Sequence, residues 1–145
     1  MKERNPLPGV ARLMESVPDL MATTETRLLL LIDDEPAQGR LISALAAREG
    51  FRAIIAGTAE EGLERLKSEE GEAVAVVLLD QWVPGEDACA LIRELKDARP
   101  EVPVLMLTAS TSPLLAIEAM RAGATDYLIK PVAPERLQQA LRSAT

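Results

Sequence analysis

Apolar and polar positions along this chain fall into two kinds of pattern. Leu28-Leu29-Leu30-Leu31-Ile32 is an unbroken aliphatic run, and Val74-Ala75-Val76-Val77-Leu78-Leu79 is another. Runs of this length bounded by polar residues fit strands covered on both faces, as in a parallel sheet. With Arg27 as its first residue the first run predicts a strand to Ile32, and the second a strand from Val74 to Leu79. Phe51 to Ala56, Pro103 to Leu107 and Thr125 to Ile129 read as three more.

Between them lie stretches with helical spacing. Asp34 or Glu35 precedes Pro36 at the start of a helix carrying Leu41, Ile42 and Leu45, which ends at Gly50. Thr58-Ala59-Glu60-Glu61 has the form of a capping box ahead of Leu63 and Leu66. Pro84-Gly85 marks a turn before Leu91, Ile92 and Leu95, and Ser112-Pro113 opens a helix that stops at Gly123. Pro134 begins the last one, with Leu137, Ala140 and Leu141 on one side. Five strand–helix units in alternation predict an α/β fold, a five-stranded parallel sheet wound on both faces. Periodicity does not give the strand order.

Residues 1–26 stand outside this alternation and are expected to form an N-terminal extension to a domain spanning 27–145. Val10, Leu13, Met14 and Val17 sit at helical spacing before Pro18, so the extension is either a flexible tail or one short amphipathic helix. A start of translation at Met21 is a further reading, because the alternation is complete without the preceding stretch.

Composition narrows the function. Aromatic residues make up 2% of the chain against 48% hydrophobic overall, so the core must be built from Leu, Ile, Val and Ala. A formal charge of −7 argues against direct contact with nucleic acid or anionic membrane, both of which would repel it. No apolar stretch approaches the roughly 20 residues that span a bilayer, and the charged N-terminus has no signal-peptide core. Together these predict a cytoplasmic protein. The lone Cys89 excludes an internal disulfide and reads as a small apolar residue on a helix. Histidine is absent, which removes imidazole zinc sites and the usual catalytic triads.

The candidate chemistry lies where the strands end. Asp33-Asp34 follows the first strand, Asp80 the third, Thr108 the fourth and Lys130-Pro131 the fifth. Each residue alone has a structural explanation: acids cap helices, threonines cap turns, and loop lysines are solvated. In a parallel sheet, however, these ends share one edge, where ligands bind. Carboxylates that close repel one another, so the edge is expected to hold a cation, and oxygen ligands favour Mg²⁺. Carboxylates, a hydroxyl and an ammonium around a cation suit phosphoryl transfer.

On Asp33-Asp34, Asp80 with Pro84-Gly85, Thr108-Ala109 and Lys130-Pro131, the chain resembles the receiver domain of two-component response regulators from about Arg27 to Ser143. The resemblance implies a flavodoxin-like (βα)5 order and a bacterial phosphorelay role without enzymatic turnover of a separate substrate. Asp80 would take a phosphoryl group from a phosphohistidine on a histidine kinase or phosphotransfer protein. Asp34, Asp80 and the backbone carbonyl of Trp82 would ligate Mg²⁺, with Asp33 acting mainly through a bound water. Thr108 would bond a phosphoryl oxygen, Lys130 would pair with the aspartate or the phosphoryl group, and Tyr127 would swing inward as Thr108 moves. A downstream protein would read the altered surface, and a homodimer is compatible with this.

Two residues depart from the usual pattern. Val83 stands where Met is common, and Trp82 is bulky for its place two past the acceptor. Its indole could shield the site from water, or pack against a partner or the following helix. Two other readings compete. A Mg²⁺-dependent phosphatase of haloacid-dehalogenase type wants a second acid two residues after the nucleophile, where Trp82 stands. A receiver-like docking module that is never phosphorylated would lack an essential group, and none is missing. A dinucleotide fold would need a glycine-rich turn where Asp33-Asp34-Glu35-Pro36 lies.

Overall fold

A computed structural model describes residues 27–145, so the expected extension at 1–26 lies outside the described residues. The strands are β1 (Arg27–Ile32), β2 (Phe51–Ala56), β3 (Val74–Asp80), β4 (Val104–Thr108) and β5 (Asp126–Ile129). The helices are α1 (Pro36–Arg48), α2 (Ala59–Lys67), α3 (Ala88–Ala98), α4 (Pro113–Ala122) and α5 (Pro134–Ala144). The sheet is parallel throughout, in the order β2-β1-β3-β4-β5. That is the flavodoxin-like order.

Side chains alternate across each strand, so one aliphatic run supplies two cores. Leu28, Leu30 and Ile32 pack with Val77, Leu79, Leu91, Ile92 and Ala119 beneath α2, α3 and α4. Leu29 and Leu31 pack with Leu78, Ile42, Leu45, Leu137 and Leu141 beneath α1 and α5. Each fully buried leucine contributes about 1.5–3 kcal/mol of transfer free energy. Of the aromatic residues only Phe51 is fully inside a core, with Tyr127 packed against the other; both cores are otherwise aliphatic, as expected.

β3 and β4 each run one residue further than the apolar pattern predicts. Asp80 pairs with Leu107 and Thr108 with Ile129, so both polar residues occupy the last rung of the ladder. Local signals hold elsewhere. Ser112 caps α4 with Pro113 in its first turn, and Gly123 ends the helix at φ 121°, a conformation that costs glycine little. The capping box of α2 differs in detail. Thr58 accepts from the Glu61 N–H, but Glu61 accepts from Gly57 rather than from Thr58. A short 3₁₀ turn, Glu70–Ala73, joins α2 to β3 where the polar sequence predicts only loop. Gly71 is buried there against the end of α2; a Cβ on it would lie 2.0 Å from the Leu66 carbonyl oxygen. Cys89 is half buried on α3 among apolar neighbours, and burial, followed by the Asp87 charge, pushes its thiol pKa up. No helix among the described residues is long and apolar enough to cross a membrane.

Candidate functional site

The order β2-β1-β3 makes the chain reverse direction across the sheet between β1 and β3, which opens a crevice beyond their carboxyl ends. Asp33 leaves β1 with its N–H bonded to the Ala56 carbonyl of β2 at 2.9 Å. Its Oδ1 accepts the Glu35 N–H at 2.9 Å, which turns the chain into α1 and aims the carboxylate inward. Oδ2 is buried without a partner. Asp34 is exposed at the mouth, and Asp80 closes the far wall, 6% exposed. One carboxylate oxygen from each of Asp33, Asp34 and Asp80 lies within 4.8 Å of the others.

The positive charge comes from the other side. The Lys130 N–H bonds the Thr108 carbonyl at 2.8 Å, so β4 carries the start of the β5–α5 loop, and the Lys130 ammonium donates to Asp80 Oδ1. Thr108 is 1% exposed; its hydroxyl donates to Gln81 Oε1 and accepts the Ser110 N–H at 3.0 Å. Tyr127 is half buried, its phenol donating to the Ser110 carbonyl at 2.7 Å. An open cleft of about 420 Å³ over the acids is lined by Asp33, Asp34, Glu35, Pro36, Asp80 and Trp82. Trp82 is 76% exposed on this rim, so its indole does not pack against the following helix.

The electrostatics match the geometry. Burial holds the Asp33 carboxyl above the ordinary aspartate pKa; the Glu35 N–H opposes this, the Asp80 and Asp34 charges add to it, and Lys130 partly offsets it. A buried carboxylate oxygen without a partner, facing two more carboxylates, is a donor set made for a hard divalent cation. The residues present therefore fit Mg²⁺.

Asp33, Asp34, Asp80, Thr108 and Lys130 lie together at this edge, and Tyr127, inside β5, reaches the β4–α4 loop only through its phenol. Gln81 and Ser110 were not anticipated. Their bonds to Thr108 and Tyr127 depend on the β3–β4 and β4–β5 registers, and no local pattern signals them.

A family model described as the response regulator receiver domain matches residues 29–142. The chain belongs to this family. It is a module of two-component signalling, and the phosphoryl-acceptor role of receivers fits its site. The Pseudomonas aeruginosa transcriptional regulatory protein AruR is 36% identical over 111 residues, covering 75% of this chain and 45% of AruR. The Salmonella typhimurium transcriptional regulatory protein ZraR is 33% identical over 116 residues, covering 80% of this chain and 26% of ZraR. The chain thus spans less than half the length of either. A response regulator receiver domain protein from Clostridium thermocellum superposes with a TM-score of 0.74 at 32% identity, covering 81% of this chain and 92% of that one. The Vibrio cholerae chemotaxis response regulator CheY4 shares the fold, with a TM-score of 0.74 at 24% identity over 83% of this chain and 99% of its own.

Proposed function

We propose that Asp80 is the phosphoacceptor and that the chain relays a signal by changing one surface when Asp80 is loaded. Lys130 engages Oδ1, which leaves Oδ2 as the attacking oxygen. That oxygen forms a bond to phosphorus as the phosphorus–nitrogen bond of a partner's phosphohistidine breaks, and the bonding pair leaves with the imidazole. Lys130 stays beside the acyl phosphate and balances its charge. Asp33, Asp34 and Asp80, with the Trp82 carbonyl, would hold Mg²⁺, Asp33 mainly through water. Bound there, the ion supplies positive charge for the phosphoryl oxygens.

Thr108 and Tyr127 form the switch on this reading. Thr108 donates to a phosphoryl oxygen, and Tyr127, joined to the same loop through Ser110, follows it. The partners are a histidine kinase or phosphotransfer protein and a downstream protein that reads the region of α4, β5 and α5. A negatively charged chain is not suited to contact nucleic acid itself.

The observation that carries the proposal is the buried Asp80 carboxylate, flanked by two further acids and met by one ammonium. Intact mass before and after acetyl phosphate with Mg²⁺ tests it. A gain of one phosphate is expected, and Asp80→Ala should abolish it. Labelling that survives Asp80→Ala, or a wild-type protein that takes up none, refutes the assignment.

A further inference from the structure

The Thr108 hydroxyl donates its one hydrogen bond to a group other than the phosphoryl oxygen it is proposed to meet. The acceptor is Oε1 of Gln81, the residue immediately after Asp80. A threonine hydroxyl has one proton to donate. Thr108 therefore cannot donate to a phosphoryl oxygen on Asp80 while it donates to Gln81. The two bonds exclude each other.

Gln81 is well placed to compete. Its own N–H bonds the Leu107 carbonyl at 2.9 Å, which fixes its backbone against the strand that carries Thr108. Its carboxamide is only partly buried, so on release it can turn to solvent. Thr108 has no such freedom at 1% exposure. Its hydroxyl must find a protein or phosphoryl acceptor, because a buried unpaired donor is costly. An anionic phosphoryl oxygen is the stronger acceptor of the two. Before loading, Gln81 accepts the Thr108 hydrogen bond; after loading, the phosphoryl oxygen displaces it.

The same hydroxyl accepts the Ser110 N–H, and the Ser110 carbonyl accepts the Tyr127 phenol. A change of partner at Thr108 is thus passed through one residue to the aromatic ring. We propose that Gln81 is a positioning residue that holds Thr108, and through Ser110 Tyr127, in the unloaded arrangement by accepting the Thr108 hydroxyl proton. This rests on the reading of Asp80 as phosphoacceptor.

The test is the affinity for beryllium trifluoride, a phosphoryl mimic, measured with Mg²⁺ by calorimetry on the full chain. Gln81→Leu removes the competing acceptor and should bind about 2–10-fold tighter, the equivalent of one net hydrogen bond. Made in a Thr108→Ala background, the same substitution should leave the affinity unchanged, an outcome that a merely structural role for Gln81 would not give. Tyr127 is the chain's single tyrosine, so its ring resonances report the switch directly. In unliganded Gln81→Leu they should move toward their bound positions. Should Gln81→Leu fail to fold, Gln81→Ser, too short to reach Thr108, serves in its place. Unchanged or weaker binding, or an equal gain in the Thr108→Ala background, overturns the proposal while leaving Asp80 untouched. A wild-type protein that neither binds the mimic nor takes up phosphate removes the reading of Asp80 and this inference with it.

Discussion

Replacing Asp33 with asparagine should make the metal-free protein more stable. The side chain keeps its size, and its Oδ1 can still accept the Glu35 N–H. What changes is the buried, unpartnered Oδ2, which becomes an NH₂ group facing carboxylates. These carboxylate oxygens lie within 4.8 Å of one another, and unit charges at that limit repel by about 3.5 kcal/mol at an effective dielectric of 20. Solvent exposure of Asp34 and the pairing of Asp80 with Lys130 reduce that figure. Loss of the attraction between Asp33 and Lys130 reduces the gain further. A net gain of about 1–2 kcal/mol remains, of the same order as relieving one unsatisfied buried acceptor. For a domain of this size it corresponds to a rise in melting temperature of about 3–10 °C.

The pH dependence carries the diagnosis. Burial raises the Asp33 carboxyl pKa, so the folded state binds this proton better than the unfolded state does. The stability this proton lends is therefore fully present below the ordinary aspartate value of about 3.9, and it is lost as pH rises through the higher folded value. Calorimetric melts in a chelator should show a small gap between variant and wild type near pH 4 and the full gap at pH 7. Taking the difference cancels the carboxylates that lie away from this site. Mg²⁺ should reverse the order. A ligand at 100 times its dissociation constant adds about 2.7 kcal/mol, and the variant, one carboxylate poorer, should gain less. A metal-free variant that melts at or below wild type at pH 7, or a gap that ignores pH, would refute the reasoning.

Two further substitutions probe the site and its frame. Lys130→Met leaves the acids unopposed and should cost about 1–3 kcal/mol in urea unfolding of the metal-free protein, short of the value for a fully buried pair; Mg²⁺ should restore part of the loss, and an equal cost with and without the ion would count against electrostatic coupling. Gly71→Ala drives a methyl into the end of α2 and should cost at least about 1–3 kcal/mol by overpacking, with phosphate uptake per folded molecule unaffected; a neutral result would show that the 3₁₀ turn is soft.

The strands and helices were legible because two aliphatic cores demand two periodicities, and the runs at 28–32 and 74–79 can satisfy only a sheet covered on both sides. Their ends were less so. Asp80 and Thr108 look like loop residues by polarity, yet a backbone pairs whatever side chain it carries, and both stay in the ladder. The turn at Glu70–Ala73 was invisible because it depends on a glycine fitting beneath a carbonyl rather than on any apolar pattern. Strand order came from the family resemblance, since periodicity records which face a residue takes and not which neighbour it has. The acids, the hydroxyl and the lysine could be picked out by type and position. The Gln81–Thr108 bond could not, because it joins residues 27 positions apart whose meeting depends on register.

The backbone around the site is tied down on every side. The Asp33 N–H bonds the Ala56 carbonyl, the Gln81 N–H bonds that of Leu107, and the Lys130 N–H bonds that of Thr108, each between 2.8 and 2.9 Å. These three residues are thus each fixed to the strand beside them, and behind those strands lie aliphatic side chains that cannot shift without opening a cavity. A frame of this kind holds like charges together at a cost that the two cores offset. It also confines movement to groups whose bonds can be exchanged at little net cost. Asp33 and Asp80 are held in place by this frame, so on the proposed reading the site would answer a new charge by exchanging partners at Thr108 and by turning Tyr127. The proposed switch would then sit on one hydroxyl between two acceptors, and signalling would require only that the second acceptor be the stronger.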